Sequence, residues 1–309
     1  MALIFSRRAY DNRTQKFTNN LSTRTRYVKL TKTGAGSNSW IGGVISQQDW
    51  LTQVKSAGST NEVLIYVHGF NTKQTDMLDR MGKIETQLKG QGFGGTVVAF
   101  DWPSDGFVLN YNSDRRDAKA AAPSLVADGV LPLLGMSPKP RVSLLAHSMG
   151  ALVVLRGFSD FGDGAGSGSS NWKVDEACFV SADVDSAWFE KGAWASLVLD
   201  KRAGRFTNYW SGRDGVLQLA GGFISGGRVR VGQVGMPQLT SARHHDVYSN
   251  EQYLRDVPPS QQKKRYSHTW WFDNVGFFKD VRATIRGDAA SGMATRKPTN
   301  TPPDQALLT

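Results

Sequence analysis

Five short apolar runs punctuate the chain: VLIYV (63–67), TVVAF (96–100), VSLLA (142–146), ACFVSA (177–182) and RFTNYW (205–210). Their near-continuous hydrophobicity, in place of strict alternation, is what strands buried on both faces of a parallel sheet require. Between them lie stretches of crossover length at 74–89, 114–134, 149–158 and 186–200. Strand and helix in alternation predict an α/β architecture, a mostly parallel central sheet with helices on both faces. The first forty-five or so residues are polar and read as an extension, with RYVKL as a candidate edge strand. GDGAGSGSS (162–170) predicts a flexible surface loop. The stretch 287–309, rich in Pro, Thr and small residues, predicts a disordered tail. No break in composition divides residues 1–286, so one domain is expected there.

Composition narrows the class. A chain of 309 residues with 39% hydrophobic content can bury one sizeable core. No apolar stretch approaches the roughly 18 residues of a membrane helix, and no repeat of solenoid type is present. The start, MALIFSRRAYDNRTQKF, has an apolar run too short for a signal peptide, with its charges after that run instead of before it. A cytoplasmic protein is therefore the expectation, although a chain trimmed of a leader would read the same. The single cysteine, Cys178, precludes an internal disulfide and sits in ACFV, where a buried strand thiol is the simplest reading. A net charge of +10 admits nucleic acid, anionic membranes or acidic substrates as partners. The basic residues are scattered, however. Only KKR (263–265) clusters, without the aromatic-plus-basic motif of a nucleic-acid module, so no specific nucleic-acid binding is expected. Nothing signals a metal or an organic cofactor.

Chemistry concentrates where VSLLA meets ALVVLR, in LLAHSMGALV (144–153). Ala146, Ser148 and Gly150 form the pattern G-x-S-x-G with alanine first. A strand turning sharply into a helix needs small residues on either side of the turn, and holds its serine out above the carboxyl end of the sheet. The competing reading is an ordinary N-cap serine. Upstream, VLIYVHGFNT ends a strand in His68-Gly69-Phe70-Asn71. That is where a nucleophile elbow finds its second oxyanion donor. The N–H groups of Phe70 and Met149 are the expected donors, with His68 bracing the loop.

The blocks VLIYVHGFNT, FDWPSDGFVLNYNSDRRDA (100–118) and LLAHSMGALV resemble, in that order, a largely uncharacterised bacterial branch of the α/β-hydrolase superfamily. The branch pairs an HGFN-type loop with an AHSMG elbow, and the similarity spans roughly residues 60–280. The resemblance implies the α/β-hydrolase fold and a serine hydrolase acting on esters, with no particular substrate.

In that fold the triad runs Ser, then Asp or Glu, then His. Of five histidines, His244, His245 and His268 follow Ser148. His268, in YSHTWWFDN, lies on a polar turn before the last helix and resembles the family's final histidine block. His245 is the rival, at the start of a strand and so at the wrong end of the sheet. Asp214, in a turn after strand 205–210, is the expected acid and fits the family pattern; Asp183, with Asp185 beside it, is the rival and equally suits a helix cap. Trp102, Phe107 and Tyr111 are candidates for a substrate pocket, and Trp188, Phe189 and Trp194 for a small cap over it, with plain core packing as the alternative for both groups. The expected activity is hydrolysis of carboxylic esters of short to medium acyl chains. A lipase, polyester hydrolase, thioesterase or amidase would use the same groups, and a non-catalytic binding protein on this fold is the reading of a different class.

Overall fold

The computed structural model describes residues 1–14, 16–34, 40–104, 111–160, 171–220, 227–299 and 304–307. In chain order its strands are β1 (Ala2–Asp11), β2 (Lys16–Lys32), β3 (Trp40–Ile45), β4 (Glu62–Val67), β5 (Thr96–Asp101) and β6 (Arg141–His147). After them come β7 (Val174–Val180), β8 (Ala203–Trp210), β9 (His244–Tyr248), β10 (Arg296–Pro298) and β11 (Asp304–Leu307). All eleven form one sheet in the order β10-β11-β9-β8-β7-β6-β4-β5-β1-β2-β3. From β9 through β1 every pairing is parallel.

The five apolar runs sit in β4 to β8, and their continuous hydrophobicity has the expected cause. Val63, Ile65 and Val67 face one core, built with helices Gln47–Ala57, Tyr111–Ser124, Gly150–Asp160 and Trp194–Arg202. Leu64 and Tyr66 face the other, built with helices Gln74–Gly90 and Val275–Arg286. Both faces are dry, so every side chain along the strand is apolar. The crossover β4 to β5 runs one way along the sheet, and the next strand, β6, lands on the other side of β4. The carboxyl ends of β4 and β6 therefore flank the point where strand order reverses, the usual ligand crevice of open α/β sheets. None of the described helices is long and apolar enough to cross a membrane.

Two expectations are corrected. The polar N-terminal stretch is not an extension: β1 lies parallel to β5 in the sheet, and Ala2 to Phe5 are at most 2% exposed. Its polarity comes from β2 and β3, an antiparallel edge pair with much of its length facing water. The predicted disordered tail holds β10 and β11, the latter parallel to β9. Burial of Ala306 and Leu307, with a buried bidentate pair between Arg296 and Asp280, outweighs the loop-like composition around them. The glycine-rich stretch 162–170 lies outside the described residues.

β1 also delivers a charge to the middle of the molecule. Arg8 is 1% exposed, and its Nε donates to Asp101 Oδ1 at 2.7 Å. Its Nη2 reaches the carbonyl of Thr72 at 3.0 Å and its Nη1 that of Ser104 at 3.3 Å, so one guanidinium ties together the loops that follow β4 and β5. Ser6 and Gln74 donate to the other Asp101 oxygen at 2.8 and 2.7 Å. Burial opposes ionisation of Asp101, but the Arg8 guanidinium and the neighbouring His68 together outweigh it and hold the carboxyl well below its usual range. A depressed folded value means that the stabilisation is complete above the unfolded value of about 4 and is lost as pH falls through the folded one. Asp101→Asn leaves Arg8 buried without its counter-charge and is expected to cost about 3–5 kcal/mol at neutral pH. In urea unfolding, the gap between wild type and variant should narrow below pH of about 4; a gap constant down to strong acid would remove Asp101 ionisation as the cause.

Candidate active site

Ser148 follows directly on the end of β6 and adopts φ 56°, a left-handed backbone that a non-glycine residue rarely takes. Its N–H donates to the Val180 carbonyl at 3.0 Å, and its carbonyl accepts from Asp183 N–H at 3.1 Å, so the turn is pinned on both sides to the neighbouring strand end. The helix Gly150–Asp160 then starts against β4. A Cβ on Gly150 would lie 2.4 Å from the Val67 carbonyl oxygen, which is why no larger residue fits two positions after the serine. Asn71 and Ser181 also have positive φ, 54° and 47°, each just beyond the end of β4 or β7. Three neighbouring strands thus carry strained backbone at one edge, and such strain gathers where surrounding structure over-determines a functional geometry.

The loop after β4 approaches the elbow too closely for any side chain at Gly69. A Cβ on Gly69 would sit 2.6 Å from Ser148 Cβ and 3.2 Å from its Oγ. His68 braces this loop. Burial keeps its ring neutral, Nδ1 donates to the Gly69 carbonyl at 3.0 Å, and Nε2 accepts from Trp102 N–H at 3.2 Å. Trp102 stacks on that ring at 5.1 Å and 3°, and its Nε1 donates to the His68 carbonyl at 2.8 Å. The N–H groups of Phe70 and Met149 donate no hydrogen bond among the described residues.

Asp214 and His268 are brought together from positions 54 residues apart: Oδ2 meets the ring Nδ1 at 2.7 Å. The other oxygen, Oδ1, accepts from the N–H groups of Val216 and Leu217, capping the helix Gly215–Leu219. Two different partners hold the carboxylate in one rotamer. The His268 ring lies 4.6 Å, centroid to centroid, from the ring of His147, the residue before Ser148. Burial, and then the nearby His268, push His147 well below its ordinary value, so it is neutral; its Nε2 donates to the His268 carbonyl at 2.8 Å. Trp271 Nε1 donates to Ser181 Oγ at 2.9 Å. Both bonds clamp the histidine loop to the ends of β6 and β7. Among the described residues Ser148 Oγ and His268 form no hydrogen bond.

The rivals lie elsewhere. Asp183 accepts from Tyr111 Oη at 2.9 Å and faces Arg230 Nε at 3.2 Å, and among the described residues it forms no hydrogen bond or ion pair with a histidine. Asp185 caps the short helix Ser186–Phe189. His244 and His245 open β9, with His244 against Asp200, and burial lowers His245 to about 4. Cys178 is buried. Of the pocket candidates, Trp102 is fully buried and stacked on His68, where it supports the loop. Tyr111 and Trp188 line a small cavity, and Phe107 lies outside the described residues. Phe189 is core, and Trp194 packs edge-to-face on Trp188 at 5.0 Å. Sequence reasoning missed Arg8, Ser181 and the bracing role of His147. Ser181 had a signal, since SAD after β7 repeats the small-residue turn of the elbow; Arg8 had none.

The profile of the family described as alpha/beta hydrolase of unknown function (DUF900) matches residues 44–269. A short match, 42% identical over 57 residues, joins the chain to an uncharacterized protein of Nostoc sp.; it covers 18% of this chain and 15% of that protein. Among solved structures, an esterase of Pyrococcus furiosus is similar at 14% identity and TM-score 0.36, over 78% of this chain and 89% of that one. A cutinase of Trichoderma reesei is similar at 11% identity and TM-score 0.34, over 74% of this chain and 78% of that one. With the profile spanning the elbow, the preceding loop and His268, the chain belongs to the alpha/beta hydrolases of unknown function (DUF900).

Proposed function

We propose that this protein is a serine hydrolase of carboxylic esters that works through an acyl-enzyme on Ser148. The observation that carries the reading is the 2.7 Å Asp214–His268 pair, with its ring packed against the elbow that bears Ser148. Nδ1–H donated to Asp214 leaves the Nε2 lone pair as the base. His268 takes the Ser148 proton as Oγ attacks the ester carbonyl, and the N–H groups of Phe70 and Met149 receive the oxyanion. The imidazolium returns its proton to the leaving alcohol. Water, deprotonated by the same ring, then releases the acid and restores the serine. Asp214 holds the tautomer and supports the positive ring without taking its proton.

Ser148→Ala should lower turnover of p-nitrophenyl butyrate by about 10⁴-fold or more with circular dichroism unchanged, and Asp214→Asn by a similar order. A fluorophosphonate probe should label the wild type at Ser148; an unlabelled wild type, or near-normal turnover by Ser148→Ala, would sink the proposal. Gly69→Ala tests the loop separately. Its added methyl must displace the loop from Ser148, so kcat should fall by about 100-fold with KM little altered. A fall in KM-linked binding alone would argue that the loop holds substrate and not the oxyanion.

A further inference from the structure

A cavity of about 170 Å³ is lined by Tyr111, Asn112, Arg115, Asp185, Trp188, Arg228 and Arg230. Tyr111 links it to the loop after β4 and to the elbow. The Phe70 ring meets Tyr111 edge-to-face at 5.4 Å, and Asp183, which holds Tyr111 Oη, donates its N–H to the Ser148 carbonyl. The volume is well under the roughly 300–1,000 Å³ of a whole-ligand pocket, so it suits one substituent of a larger substrate.

Its charges are unbalanced. Arg230, buried, faces Asp183 at 3.2 Å, and Arg228, 69% exposed at the rim, lies 3.7 Å from Asp185. Arg115 has no carboxylate in ion-pair range among the described residues; it touches Tyr111 Oη at 3.5 Å and lies over the Trp188 ring at 5.9 Å. A guanidinium seated on an indole face is weakly hydrated and pre-oriented, and its planar fork matches a carboxylate. Asp183 cannot serve as that anion, since Tyr111 and Arg230 already engage it. Burial, and next the charge of Asp183, push the Tyr111 hydroxyl up to about 12, so it remains a neutral donor. Further along the same helix Lys119 is lowered by partial burial and then by Arg115 and Arg156, the mark of a positive face.

We infer that this cavity receives a carboxylate of the substrate, so that the preferred esters carry an anionic group a few bonds from the scissile carbonyl. The inference rests on the ester-hydrolase reading and names its substrate class. Arg115 is the principal contact, Arg228 closes the rim, and Trp188 packs on the intervening methylenes. The net charge of +10 steers such substrates toward the protein.

Two matched pairs of esters test it, with uncatalysed rates subtracted. Mono-p-nitrophenyl adipate against p-nitrophenyl hexanoate places the charge on the acyl side; p-carboxyphenyl acetate against phenyl acetate places it on the alcohol side. In the wild type, kcat/KM for the charged member of one pair should exceed its neutral partner by about tenfold or more, the usual weight of a hydrogen bond to a charged group. The preference should shrink as salt rises. It should fall toward one in Arg115→Gln and Arg228→Gln, and be partly kept in Arg115→Lys. Turnover of neutral esters with no charged preference on either side, or a preference surviving both glutamine variants, overturns the inference and leaves the hydrolase standing. No turnover of any ester, with Ser148 unlabelled by fluorophosphonate, overturns both.

Discussion

The site depends on how closely two pieces of main chain pass each other at the reversal of strand order. The loop leaving β4 and the helix leaving β6 are in contact through Gly69 and Gly150, positions where any Cβ would collide with Ser148 or with the Val67 carbonyl. That proximity goes with the left-handed turn at Ser148, which sits between the two. Strain at three strand ends, of order 1–3 kcal/mol each, is sustained because parallel pairing on both sides leaves the backbone no alternative.

Holding such a crossing in place requires stiffness behind it, and much of that comes from outside the block of five apolar runs. Arg8 enters on β1 and fastens the loops after β4 and β5 through one buried guanidinium. A buried ion pair of this kind is weak evidence for stability, because desolvation opposes attraction. Its value here is geometric. With Asp101 also taking hydrogen bonds from Ser6 and Gln74, the loop that carries Gly69 has little freedom to drift. His68 and Trp102 complete the support as a neutral stacked pair.

Much of this was legible in the residues. β4 to β8 could be read because burial on both faces demands unbroken hydrophobicity, and the elbow because a sharp strand-to-helix turn demands small neighbours. β1 to β3 could not: an edge pair half in water has the polar composition of a loop, and ALIF alone is too short to mark a strand that gains its stability from β5. The tail misled for a related reason, since one arginine and two apolar residues dock it, too few to shift its composition. The aromatic residues of the site were legible as a group but not by role. Trp102 and Tyr111 differ in what lies beside them in space, and spacing along the chain carries no record of that.

Asp214 has a further consequence. Because its two oxygens serve different masters, one the start of the helix Gly215–Leu219 and one the His268 ring, neither bond can be optimised alone. Linkage makes the coupling reciprocal: whatever strengthens the grip on the imidazole also firms the first turn of that helix, and fraying of the helix would loosen the ring. The Asp214–His268 pair and that helix are in this way a single mechanical element.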